Sequence, residues 1–148
     1  MVIRFLSKIL EWKDFSNLAP YPIKLNGEIW NSAEHYYQFR KFEKTDPEYA
    51  QKIKEAPTPK EAKLLSLKNN NYPNNWDELK IDILGEAVKV KFESYPELKK
   101  LLLSTGDEEL IEANPDDYFW GEGKDGTGKN MMGKILMEVR ANLRGKSK

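Results

Sequence analysis

Cysteine is absent from this sequence of 148 residues, and histidine occurs once. Without thiols there is no disulfide, Cys-ligated zinc, iron–sulfur cluster or thiol nucleophile, and a single imidazole excludes HExxH and other multi-histidine metal sites. Net charge is missing too, because 24 Lys and Arg balance 24 Asp and Glu. A neutral chain has no overall field to draw it onto a nucleic-acid backbone, and only four of its cations are arginine, the better reader of phosphates and bases. No apolar run approaches the roughly 20 residues that cross a bilayer. The opening MVIRFLSKIL has neither the length nor the small-residue cleavage site of a secretory signal. The expectations are a cytoplasmic location, no membrane partner, no metal and no cofactor. Any chemistry falls to carboxylates, lysine, hydroxyls, amides or the backbone.

What is present argues for a folded chain. Aromatics make up 11% of the residues, too many for a disordered segment, while 32% charged residues and a mean hydropathy of −0.74 imply a heavily charged surface. The length predicts one domain over residues 1–148. There is no internal repeat and no linker. Two stretches interrupt the periodic segments: the Asn69–Asn75 cluster, read as a loop between helices, and the run from Gly121 to Gly128, where four glycines alternate with polar residues.

Strand signals are confined to Val2–Leu6 and Tyr21–Trp30, where Asn26-Gly27 predicts a tight hairpin turn. Ser32 is the expected N-cap of a helix reaching about Glu43, and Pro47 opens a second helix through Lys54. Helical spacing continues in Glu61–Leu67, Trp76–Phe92, Pro96–Leu103 and Glu108–Ala113. A last long helix starts near Asn130 and buries Met132, Ile135, Leu136, Val139 and Leu143. The expected class is α+β, mainly α, with a small N-terminal β-hairpin.

On the helix after the hairpin, Glu34, Gln38 and Lys41 fall at i, i+4 and i+7 and line one stripe, flanked by Tyr37. A solvated face is the ordinary fate of such a stripe. The aromatic density of His35, Tyr36, Tyr37, Phe39 and Phe42 argues instead for enclosure, which would perturb the ionisation of Glu34 and Lys41 as acid–base or amine chemistry needs. His35 itself reads as a packed, hydrogen-bonded histidine.

Gly123–Asn130 fits GxxxxGK and then breaks the P-loop pattern, because Asn130 stands where Ser or Thr would bind Mg²⁺. Asp116–Trp120, preceded by Pro115, also make a poor buried strand, so a nucleotide triphosphatase is rejected. Glycines that expose backbone N–H groups, a following helix start and Lys129 still suggest a phosphate site, with a flexible turn as the alternative. Trp120 offers a flat surface for stacking a base. Six carboxylates and no basic residue occupy Asp107–Asp117, of which Asp116 and Asp117 adjoin the aromatic-glycine element and could bond ribose hydroxyls or orient water.

Three blocks together resemble the NADAR (YbiA-like) domain family: Phe15–Ile23, which contains Asn17; Trp30–Phe42; and Asp117–Gly123 continuing through Gly128–Gly133 and Leu136–Arg140. Nearly the whole chain is covered. The resemblance implies a mainly helical domain that hydrolyses N-glycosidic bonds between a ribose and a base-like nitrogen. Two substrate classes go with it: phosphorylated ribosylaminopyrimidine intermediates of riboflavin synthesis, and ADP-ribose linked to guanine in nucleic acid. On this reading Glu34 is the catalytic carboxylate, and Lys41 is either an acid toward the leaving group or an amine that forms a Schiff base with the opened sugar. Tyr37 and Trp120 would hold the base, Asp117 the ribose, and Gly121, Gly123, Gly126, Gly128, Lys129 and Asn130 the phosphate, with Asn17 and Gln38 as further substrate contacts. The sequence departs from the family in lacking the Gly-Arg pair expected within Lys63–Lys68, a basic residue near Trp76, and aromatics at Leu6 and Leu18. Loss of an arginine that might hold phosphate leaves a non-catalytic module binding ADP-ribose or a related nucleotide as the rival.

Overall fold

The computed structural model describes residues 1–146. In chain order the elements are β1 (Val2–Phe5), a 3₁₀ turn (Leu10–Phe15), β2 (Ile23–Leu25), β3 (Glu28–Trp30), α1 (Ala33–Phe42), α2 (Pro47–Lys54), α3 (Pro59–Leu67), α4 (Trp76–Ser94), α5 (Pro96–Ser104), β4 (Glu109–Glu112) and α6 (Met131–Lys146). The expected α+β, mainly helical class holds. Two compact units are distinguishable, Met1–Ser16 with Phe92–Lys148, and Asn17–Lys91.

Local chemistry accounts for most of the second unit. Asn26 and Gly27 take φ of 55° and 77°, the left-handed pair that lets two residues join β2 to β3. Trp30 Nε1 donates to Leu25 O at 3.0 Å and ties the hairpin to itself. The Ser32 hydroxyl accepts from His35 N at 3.1 Å and caps α1. Asp46 and Thr58 cap α2 and α3 in the same way, each followed by a proline whose missing N–H costs nothing at that position. Phe42, Ala50, Ile53, Ala56 and Ala62 form the core between these three helices, with Phe39, Tyr49 and Leu65 packed against it. The Asn69–Asn75 segment is the expected loop, and Asn71 Nδ2 donates to Thr45 O at 3.1 Å to pin it to the α1–α2 turn.

In the first unit, β1 and β4 pair in parallel, Val2 opposite Glu109 through Phe5 opposite Glu112. This corrects the helix expected over Glu108–Ala113. The segment is an extended strand because its backbone finds partners far away in sequence. β1 takes one edge. On the other side Asn130 Nδ2 donates to Leu110 O at 2.9 Å, Asn130 Oδ1 accepts from Glu112 N at 2.9 Å, and Glu122 N donates to Glu112 O at 2.9 Å. Phe15 meets Phe5 and Phe92 at ring separations of 5.9 Å. Met132, Ile135, Leu136, Val139 and Leu143 of α6 are buried as their spacing requires.

Candidate active site

α1 is enclosed on nearly every side, which decides the fate of its polar stripe. Glu34 and Gln38 are each only 7% exposed. Gln38 Nε2 donates to Glu34 Oε2 at 2.6 Å, so the carboxylate is held one helical turn from its donor. One turn further on, Lys41 Nζ donates to the buried Ser66 hydroxyl at 3.1 Å and lies 4.4 Å from the centre of the Tyr72 ring. Burial pushes the Lys41 ammonium below the ordinary lysine range, and the positive charge of Lys80 pushes the same way, while Glu34 and Asp77 pull it back up. Lys80 is paired with Asp77 at 2.9 Å. Tyr37 stacks obliquely on Trp76, ring centres 5.4 Å apart. The stripe therefore combines a buried carboxylate, a destabilised ammonium and an aromatic shelf.

The opposite side of α1 anchors it. Tyr36 donates to Glu86 and accepts from Arg40, and Asn26 Nδ2 reaches the same hydroxyl at 3.2 Å. Burial, and then the bond to Glu86, push the Tyr36 phenol up to about 12, so it stays a neutral donor. His35 Nε2 faces Ala56 O at 2.9 Å and Nδ1 faces Ser32 Oγ at 2.7 Å. Since a carbonyl only accepts, Nε2 carries the proton and Nδ1 takes the hydroxyl proton. Burial lowers the His35 pKa and favours this neutral form. His35 is a packed structural residue, as its setting in the sequence suggests.

The glycine element of the first unit has a different character from the one its sequence suggests. Gly123 N, Gly128 N, Lys129 N and Asn130 N donate to the carbonyls of Asn114, Glu122, Tyr118 and Gly121 at 2.7–3.2 Å. Gly126 N has the Gly123 carbonyl at 3.5 Å, and Met131 N and Met132 N take those of Phe119 and Trp120. Of the N–H groups expected to cradle phosphate, those of Gly123, Gly128, Lys129 and Asn130 are thus engaged by backbone carbonyls of the loop and of the segment before it. Asn130, expected at the phosphate, has both ends of its buried side-chain amide bound to β4 and so staples the loop to that strand. Asp117 Oδ1 accepts from Phe119 N and Trp120 N at 2.9 and 2.8 Å, closing the turn that carries Trp120. Lys129 keeps an exposed side chain, its Nζ 5.7 Å from the Phe119 ring centre.

Of the sequence-derived candidates, Glu34, Tyr37, Gln38 and Lys41 share one helix and one chemical setting, and Asn17 lies half-buried ahead of β2. Ser66, Tyr72, Trp76 and Lys80 were not among the candidates. The four-residue step from Trp76 to Lys80 was the available signal, because it puts both on one face of α4. Among the described residues no group of three His, Asp or Glu is placed to hold a metal ion, and no helix is long and apolar enough to cross a membrane.

A model of the NADAR domain matches residues 4–144. The chain belongs to the NADAR domain family. N-glycosidase YbiA of Escherichia coli (strain K12) is 38% identical over 144 residues, 96% of this NADAR chain and 88% of that protein. N-glycosidase Npun_R5314 of Nostoc punctiforme is 38% identical, covering 97% and 94% of the two chains. A segment of the chloroplastic riboflavin biosynthesis protein PYRR of Zea mays is 39% identical over 145 residues, 88% of this chain but 23% of the maize protein. The NMR structure of Escherichia coli YbiA superposes with a TM-score of 0.89 at 36% identity, over 99% of this NADAR chain and 87% of that one.

Proposed function

We propose that this NADAR protein hydrolyses the N-glycosidic bond of a phosphorylated ribosylaminopyrimidine, the substrate class of riboflavin synthesis. The broader activity follows from its full-length relatives: it is an N-glycosidase, a hydrolase of glycosyl bonds to nitrogen. The pyrimidine substrate draws support from the matching segment in the maize riboflavin biosynthesis protein. The observation that carries the chemistry is the buried Glu34 carboxylate, held by Gln38 on the stripe that also bears the destabilised Lys41 ammonium.

Breaking a ribosyl C–N bond builds positive charge at C1′, which a desolvated carboxylate stabilises more than water does. Glu34 supplies that charge. Lys41 has two routes open to it. As an ammonium it gives its proton to the departing nitrogen, and a water whose proton passes to Glu34 adds to C1′. As a neutral amine it attacks C1′ of the opened sugar; the pyrimidine amine leaves with a proton, and water then cleaves the imine to free ribose phosphate and restore the lysine. Tyr37 and Trp76 give the pyrimidine a flat support.

The test is incubation with a panel of ribosyl-N-glycosides that includes ADP-ribosylated guanine in DNA, scored for released base and sugar. The expected result is equal yields of pyrimidine amine and ribose phosphate. Release from ADP-ribosylated guanine alone would move the activity to that class. Nucleotide binding without release from any substrate would make the protein a binding module.

A further inference from the structure

Gln38 carries an acceptor that this scheme leaves unused. Its Nε2 donates to Glu34 Oε2 at 2.6 Å, so the carbonyl Oε1 is turned away from Glu34. That Oε1 is buried and has no hydrogen-bond partner among the described residues, in a side chain 7% exposed. Buried acceptors in folded proteins are paired with few exceptions, and an exception between a carboxylate and a destabilised lysine marks a place where a ligand brings the donor. Position narrows which donor. Gln38 stands one turn after Glu34 and one turn before Lys41, next to Tyr37, so Oε1 belongs to the stretch of helix between the two groups to which the proposed chemistry gives the bond being broken.

Resting on the N-glycosidase reading, we infer that Gln38 Oε1 accepts the N–H borne by the scissile nitrogen, and so selects glycosides whose glycosidic nitrogen carries hydrogen. A ribosylamine has that hydrogen. The glycosidic nitrogen of an ordinary nucleoside is a fully substituted ring atom and has none. Such a substrate leaves the carbonyl buried and unpaired, which is the arrangement that lets a polar site reject an analogue lacking one donor. The bond also directs the nitrogen lone pair away from Gln38, leaving it open to the incoming proton.

The experiment compares kcat/KM for a ribosylaminopyrimidine 5-phosphate and its counterpart methylated on the scissile nitrogen, in the wild type and in Gln38→Met. The wild type is expected to prefer the N–H substrate by at least about 10-fold. In Gln38→Met, which keeps side-chain length but has no acceptor, the ratio falls toward that set by methyl bulk alone. In Gln38→Glu, which keeps an oxygen there and shares a proton with Glu34, the preference returns. Titration calorimetry with the free aminopyrimidine and its N,N-dimethyl analogue on the same proteins gives the same ratio without turnover. An enzyme that cleaves neither substrate overturns the N-glycosidase reading, while the calorimetric ratio still decides on Gln38. Equal handling of the two ligands by the wild type, or an unchanged ratio in Gln38→Met, overturns the inference.

Discussion

Lys41 Nζ donates to Ser66 Oγ at 3.1 Å, so the one lysine of the α1 stripe is held by a hydroxyl rather than neutralised by a carboxylate at bonding distance. A neutral partner offsets the cost of burying the ammonium less than a bonded carboxylate would, so burial and the field of Lys80 outweigh the more distant Glu34 and Asp77 and hold the Lys41 pKa below the ordinary lysine range. Lys41→Arg keeps the charge but neither gives up a proton readily nor attacks carbon. Activity is expected to fall by on the order of 10²–10⁴-fold. Borohydride added during turnover should trap a sugar on Lys41 of the wild type if the imine route operates, read by peptide mass mapping; no adduct assigns Lys41 to acid catalysis.

Glu34→Gln preserves size and the capacity to bond Gln38 but removes the charge. Single-turnover base release should slow by on the order of 10²–10³-fold with ligand binding nearly unchanged. Rates within a few-fold of wild type would take Glu34 out of the catalytic role.

The field of Lys80 gives a separate handle. Burial lowers the Lys41 pKa first, and Lys80 adds to it. Removing that positive charge must move Lys41 back toward the ordinary lysine value. In Lys80→Met the pH limb governed by Lys41 in kcat/KM is expected to shift to higher pH, and an unmoved limb would mean that it belongs to another group.

How much of this was legible in the sequence follows the range of the interactions. The hairpin at Asn26-Gly27, the Ser32 cap and the Pro47 start are decided by neighbours within four residues, and each was readable. The stripe of Glu34, Gln38 and Lys41 was readable from helical spacing alone, and the aromatic neighbours correctly foretold its burial. β4 was not, because Leu110 and Ile111 suit a helix locally and become a strand only when β1 and Asn130 take up their backbone groups. The hydrogen bonds of the loop were illegible for the same reason: glycines leave the N–H groups accessible, and only the three-dimensional path shows which carbonyls take them up.

His35 makes stability depend on pH in a defined window. Its folded pKa lies below the ordinary 6.5 because burial disfavours the imidazolium, so on acidification the unfolded chain takes up the proton before the folded one does. The contribution is complete above about 6.5 and is lost as pH falls through the folded value. The wild-type Tm should drop between pH 7.5 and pH 5. His35→Gln, which retains a donor toward Ala56 O and does not titrate, should lower Tm at pH 7.5 but show a smaller drop across the window. Equal drops in the two proteins would exclude His35 as the source.

Gly128 decides between the two readings of the glycine loop. A Cβ there would lie 2.8 Å from Glu122 O and press on the Gly121 carbonyl, the groups that accept from Gly128 N and Asn130 N. Ala at this position must spread the loop, break those bonds and disturb the turn that presents Trp120. The expected cost is about 1–3 kcal/mol of stability, in the range of other forced close contacts. If the loop is a self-satisfied scaffold, Gly128→Ala weakens phosphorylated and unphosphorylated ligands by the same factor, whereas Lys129→Ala weakens only the phosphorylated ones, and more at low salt than at high salt. Calorimetric titration of a ribosylaminopyrimidine with and without its phosphate separates these outcomes. A loss confined to the phosphorylated ligand in Gly128→Ala would mean that the loop N–H groups exchange their carbonyl partners for phosphate on binding, and the scaffold reading would fall.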